Sequence, residues 1–176
     1  MKKENRLTNL LNTALVKAQL LLQPARLMDM DKLITKNRLD LNLMIKFLEE
    51  VIGKGKKYSE TRYYKFIKIP RGDGLNEEPE AISGQFIGLY ESIRKNGFNG
   101  YFIVAKTNRF NLVETVFRDC RKISDEKIRF KYQLVGGAHR FAACKFLGHE
   151  KIRVKVIRTP FLNFPDMTSF IKRYKI

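Results

Sequence analysis

The sequence holds no run of eighteen consecutive apolar residues, so no membrane span is expected, and on that ground no membrane partner. Near its start the apolar stretch "ALVKAQLLLQ" is broken by Lys17 and Gln19, which argues against an export signal. Cysteine is scarce. The two that occur, Cys120 and Cys144, match neither a metal site nor a disulfide framework. Without an export signal they are expected to be reduced thiols in the cytoplasm. The chain lacks the G-x-x-x-x-G-K-[ST] pattern, which excludes a Walker-type phosphate loop. Internal repeats and low-complexity tracts are missing too. Acidic residues are few: 18 Asp and Glu stand against 35 Lys and Arg, a net charge of +17. The surplus is uneven, with +6 in residues 1–58, zero in 59–100 and +11 in 101–176. Such a field attracts anions: nucleic acid, an acidic membrane surface, phosphorylated metabolites or an acidic partner.

What is present reads as one ordinary domain with an extension. The hydrophobic fraction of 44% is enough for a real core. Residues 1–58 carry helical patterns. Thr8 is read as a cap for a helix with Leu10, Leu11, Ala14, Leu15 and Ala18 on its apolar face, ended before Pro24. Asp40 precedes a second helix with Met44, Phe47, Leu48, Val51 and Ile52, closed by Gly53. That face, Met44–Phe47–Val51, is a candidate homodimer contact. "GKGKKYSE" follows as a basic linker. "YKFIKIP", Tyr64 to Pro70, reads as a strand. "RGDGLNEEPEA" is a polar loop before a helix expected from Ser83, with Phe86, Ile87, Tyr90 and Ile93 on one side and Gly97 at its end. "YFIVA", Tyr101 to Ala105, is a short apolar run expected to be a strand covered on both faces. Residues 107–128 decide for neither strand nor helix. Phe130, Tyr132 and Leu134 alternate into Gly136, a helix runs from Ala138 to Leu147, and Ile152, Val154 and Val156 alternate with Arg153 and Lys155 as a half-exposed strand. The tail is expected to form a short helix from Asp166 or Thr168. The expected fold class is α/β (α+β), a small mixed sheet with helices and an added N-terminal helical segment. The expected domains are an extension at 1–58, the main domain at 59–160 with an insert at about 107–128, and a basic tail at 161–176.

The stretch "LVGGAHRFAACKFLGHEKIRVKVI" carries the chemistry. Two glycines precede His139 and Arg140 at a strand-to-helix turn. A helix start leaves backbone N–H groups unpaired, and with the macrodipole they favour an anion by about 0.3–1 kcal/mol. Glycine lets that backbone approach a phosphate closely. Arginine matches phosphate oxygens with a planar fork, and histidine donates a hydrogen bond or carries a proton. Cations at a helix start oppose the dipole, a conflict that a bound anion resolves. The plainer reading is a turn made by glycines, with Arg140 in solvent.

The block "GGAHRFAACKFLGHEKIRVKVI" resembles the ParB/sulfiredoxin superfamily, whose members carry a Gly-x-[His/Arg]-Arg-x-x-Ala-Ala turn and helix followed by a strand. "GLYESIRKNGFNGYFIVAK" is similar to the helix, glycine turn and strand that precede it in that family. The resemblance covers roughly residues 64–158. It implies the family's small mixed sheet and a nucleotide site: ATP in sulfiredoxins, CTP in ParB proteins, ADP in related serine kinases, with Mg²⁺. Carried over by match, Gly136, Gly137, Ala138, His139 and Arg140 line the phosphates. The family's Lys, Ser and Thr on the preceding helix correspond to Gln85, Gly88 and Ser92, and only the Ser92 hydroxyl is kept. Sulfiredoxins need a cysteine where this chain has Ala138, so repair of a sulfinic acid is excluded. Cys144 lies six residues further on and reads as a small core residue. Partition-type ParB proteins continue into a helix-turn-helix domain, whereas eighteen residues follow Arg158 here.

Two functional readings stand side by side. In the first the protein is a nucleotide-dependent small-molecule phosphotransferase or NTPase. Arg140 neutralises transferring phosphate charge, His139 orients the phosphate or shuttles a proton, and Glu78, among Asp73, Glu77 and Glu80, supplies the acidic residue that the related kinases carry at this point. A phosphorylated substrate is the partner it implies. In the second it is a nucleic-acid-binding ParB-like protein of plasmid, phage or defence type. There Lys127, Arg129 and Lys131, and then Lys151, Arg153 and Lys155, contact phosphates from strands.

Overall fold

The computed structural model describes residues 14, 16–33, 39–68, 78–106, 132–134 and 136–157. The Thr8 cap, Asp73 and Glu77, the 107–128 insert, the cations Lys127, Arg129 and Lys131, and the 161–176 tail lie outside the described residues. The described elements give an α+β fold in two compact units, a sheet unit and a helical unit.

Among the described residues the sheet unit contains helix α1 (residues 16–22) and four strands. These are β1 (Arg26–Asp29), β2 (Phe102–Lys106), β3 (Tyr132–Leu134) and β4 (Lys151–Ile157), in the order β1-β4-β2-β3. β2 and β4 run parallel, with Phe102 opposite Val154. β1 is antiparallel to β4, and β3 is antiparallel to β2. As expected of a strand covered on both faces, Phe102, Ile103 and Val104 are buried in succession. β4 alternates as its pattern demands: Ile152, Val154 and Val156 are buried, and Lys151 and Arg153 are exposed. After β1 a turn of 3₁₀ helix, Met30–Lys32, leads to Leu33, which bridges to Tyr132 of β3. Arg26 of β1 donates to the Tyr132 hydroxyl at 2.9 Å and lies over that ring at 5.3 Å. The chain after β1 therefore returns to the far edge of the sheet.

The helical unit contains α2 (Leu39–Leu48), which widens into a turn of π-helix at Glu49–Gly53, and a 3₁₀ turn at Tyr58–Glu60. It also holds α3 (Arg62–Ile67), α4 (Pro79–Asn96) and α5 (Ala138–Phe146). α4 starts with proline at its first turn, where a missing N–H loses nothing. It stops at Gly97, whose φ of 72° and ψ of 175° belong to a region that essentially only glycine adopts. A Cβ there would touch nothing within 4 Å. Gly97→Ala is thus a pure backbone test: it is expected to lower the unfolding free energy by about 1 kcal/mol in urea titrations, with no packing contribution.

Four expectations are corrected. Tyr64–Ile67 is helical, not extended. Thr61 caps α3, its Oγ1 accepting the Tyr64 N–H at 3.2 Å, and Tyr63 and Ile67 are buried one turn apart. The stretch 1–58 is not wholly helical, because Arg26–Asp29 joins the sheet. By compact unit, β1 groups with the sheet and α2 with the later helices. α4 begins four residues before Ser83, which is fully buried inside it. The α2 face read as a dimer contact is used within the chain. Met44 and Phe47 are buried, and Phe47 packs against Tyr58, Tyr63 and Phe86.

Candidate functional site

The strand-to-helix joint has the backbone that its glycines allow. β3 ends at Leu134, Gly137 takes φ 82°, and Ala138 opens the nine-residue helix α5. Glycine adopts this left-handed backbone without a Cβ clash, and the helix that follows starts with N–H groups that lack intrahelical partners. Arg140 is exposed in this first turn. Behind it Phe141, Ala142, Ala143 and Cys144 are buried and anchor the helix.

His139 is not loose at this turn. Its Nε2 lies 2.6 Å from the Tyr63 hydroxyl. Its ring is 4.7 Å from Phe86 and 6.1 Å from Tyr63, edge-on at 84°. Tyr63 and Phe86 are almost fully buried, and both pack on Phe47 at 5.1 and 5.6 Å. Thus α2, α3, α4 and α5 each place one ring in a single cluster, and the 3₁₀ turn adds Tyr58 at 5.7 Å from Phe47. The chemistry of that contact is reciprocal. A buried phenol hydroxyl needs a partner. A neutral imidazole accepts its proton at Nε2, while a protonated imidazole donates to the phenol oxygen. Either way the ring orientation of His139 is set by a residue 76 positions away. Sequence reasoning missed Tyr63, which lies between the linker ending at Glu60 and the strand read from Tyr64 and matches no motif.

The other candidates are distributed as follows. Glu78 is exposed at the N-cap of α4. Its charge and that of Glu80 act on Tyr64. That hydroxyl is held above its ordinary range first by burial, then by the charge of Glu80 and the hydrogen bond it accepts, and last by the charge of Glu78. The charges of the acidic pair thus act on Tyr64, while the imidazole contacts Tyr63, its neighbour in α3. Gln85, Gly88 and Ser92 lie exposed on the side of α4 away from its buried stripe Ser83, Phe86, Tyr90 and Ile93. Since Phe86 is what meets His139, α4 turns Gln85 and Ser92 away from it. Ser83 is buried with its hydroxyl unpartnered.

Cys144 sits four residues after Arg140 and is fully buried. Burial pushes its thiol up to about 11, opposed by the Arg140 charge. A thiol held protonated is a poor nucleophile, so Cys144 is a core residue, as its setting in the sequence implied. Among the described residues no group of three or more His, Cys, Asp or Glu could hold a metal ion. Nor is any described helix long and apolar enough to cross a membrane.

On the sheet the basic row of β4 is divided. Lys151 and Arg153 are exposed. Lys155 is half-buried, lies 4.6 Å above the Tyr101 ring and donates to the Leu20 carbonyl. Comparison of the chain with protein-family models, with curated proteins and with solved structures finds no significant match in any of the three.

Proposed function

We propose that the chain binds a nucleotide through the turn Gly136–Arg140, as the ParB/sulfiredoxin superfamily that it resembles does. One observation carries the reading: a left-handed Gly137 leads into α5, whose first turn exposes Arg140 beside an imidazole fixed by Tyr63. Unpaired N–H groups at the helix start, a guanidinium and an oriented ring donor together form an anion-binding arrangement. The ligand in this reading is ATP, ADP or CTP, with Mg²⁺ carried on the phosphates. Arg140 neutralises phosphate charge, and His139 orients the phosphate. Glu78 stands with Tyr64 and Glu80, so the proposal rests on binding, with phosphotransfer or nucleotide hydrolysis read as turnover in the same samples. Ala138 in place of a cysteine keeps sulfinic acid repair out of it.

Equilibrium titration of the full chain with fluorescent ATP, ADP, CTP and GTP, with Mg²⁺, tests this. One nucleotide is expected to bind, and Arg140→Ala is expected to weaken it by about tenfold or more, the loss of a charged hydrogen bond. Equal affinity in wild type and variant defeats the role of Arg140. No binding of any nucleotide defeats the reading, and salt-dependent DNA and RNA binding through Lys151 and Arg153 takes its place.

A further inference from the structure

The solvent side of α1 is apolar. Val16 and Leu20, one turn apart, are buried, whereas Ala14, Ala18, Leu21 and Leu22 are exposed, with Lys17 among them. Ala14 and Ala18 belong to the stripe that the sequence marks as a core face, yet the structure turns them outward. Leu21 is 83% exposed, Leu22 82%, and Leu27, just beyond on β1, 69%. A helix apolar on both sides has something covering both sides. Scattered exposed leucines need no account, but these three are concentrated where α1 ends and the next strand, β1, runs.

The sheet sets cations beside these leucines. Leu27 pairs directly with Arg153 across the β1–β4 ladder, so the two side chains share a face. Lys151 is two residues along the same face and exposed. Lys155, two residues the other way, reaches the Leu20 carbonyl and so brings the end of α1 to that face. Asp29, the acidic group on these two strands, pairs with Lys32 and stands opposite Lys151 across the ladder, which leaves Arg153 as the cation beside Leu27.

We propose that this corner lies on an anionic lipid surface, with Leu21, Leu22 and Leu27 at the boundary of headgroups and acyl chains. Arg153 and Lys151 then face the lipid phosphates. Neither signal suffices alone: a small apolar insertion is reversible, and basic groups hold only within a Debye length. Together they make an interfacial anchor. A second copy of a +17 chain would bring cations against cations. A nucleic-acid backbone would pair the cations but leave the leucines wet. The expectation of no membrane partner rested on the missing span, and lying on a surface needs none.

Vesicle flotation of the full chain tests this, with phosphatidylcholine vesicles compared with vesicles that also contain phosphatidylglycerol. Binding is expected only to the anionic vesicles. The triple variant Leu21→Ser, Leu22→Ser, Leu27→Ser leaves net charge unchanged and is expected to lower partitioning at least about tenfold. Lys151→Gln with Arg153→Gln is expected to lower it as well. The chain has no tryptophan, so Leu22→Trp introduces a sole reporter whose emission should shift to the blue on anionic vesicles. Because the leucines are exposed, thermal unfolding of the variants should match wild type; if the triple variant unfolds, the tryptophan reporter decides instead. Unchanged binding of a folded triple variant would mean attraction by charge alone and overturns the proposal. So does an unshifted tryptophan, or failure of wild type to bind. Loss of DNA binding or of self-association in the triple variant, with vesicle binding intact, overturns it in favour of those partners.

Discussion

Phe47→Ala is expected to remove about 3–5 kcal/mol from the unfolding free energy, the range for a buried phenylalanine cut to alanine. Phe47 is fully buried and touches three other rings: Tyr58 at 5.7 Å, Tyr63 at 5.1 Å and Phe86 at 5.6 Å. The stacked pair with Phe86, at 16° between planes, and the two tilted pairs add to plain area burial. The surrounding rings come from different elements, so they cannot collapse into the cavity without moving their backbones. A domain typically has about 5–15 kcal/mol to lose, so the variant stands at the edge of folding. Urea titration followed by circular dichroism gives the value, and Phe47→Leu, which keeps most of the volume, should cost much less. A loss near 1 kcal/mol would mean that the cluster does not organise the helical unit.

The parts of the fold legible in the sequence are those whose signal is local. β2 is a run of bulky apolar residues, β4 alternates, and α5 is bounded by Gly137 and Gly148, both with positive φ. Their elements follow from period and punctuation alone. β1 was hidden because four residues, Arg26–Asp29, carry too little pattern, and it is their pairing with β4, more than a hundred positions away, that makes them a strand. The segment Tyr64–Ile67 is rich in aromatic and β-branched residues and so reads as extended, but the Thr61 cap and the burial of Tyr63 and Ile67 one turn apart override that preference. The same asymmetry divides the site. The glycines, His139 and Arg140 are contiguous and legible. Tyr63, which orients His139, is not, since nothing local marks it as the partner of a histidine 76 residues on. Ala14 and Ala18 show the converse: a periodic stripe marks an apolar face correctly but does not say that the fold leaves it uncovered.

Tyr63→Phe separates the two roles that His139 can have. The phenylalanine keeps the ring contacts with Phe47 and Phe86 and removes only the hydroxyl, 2.6 Å from Nε2. The half-buried imidazole then loses that hydrogen bond, and stability is expected to fall by about 0.5–1.5 kcal/mol, the net contribution of a typical hydrogen bond. Folding itself should survive, because the volume of the cluster is unchanged. The informative readout is nucleotide affinity. If His139 is held by Tyr63 so as to present its ring to a phosphate, the folded variant binds more weakly although Tyr63 touches no ligand, and His139→Phe adds little to Tyr63→Phe in the double variant. That non-additivity is the mark of residues acting as one unit. If His139 serves only the aromatic cluster, stability falls in both single variants while affinity stays at the wild-type value. The phosphates would then be held by the α5 backbone and Arg140 alone. Titration of the two single variants and the double variant, beside urea unfolding of each, distinguishes these cases, because a merely structural contact moves the unfolding curves and leaves the binding curves where they were.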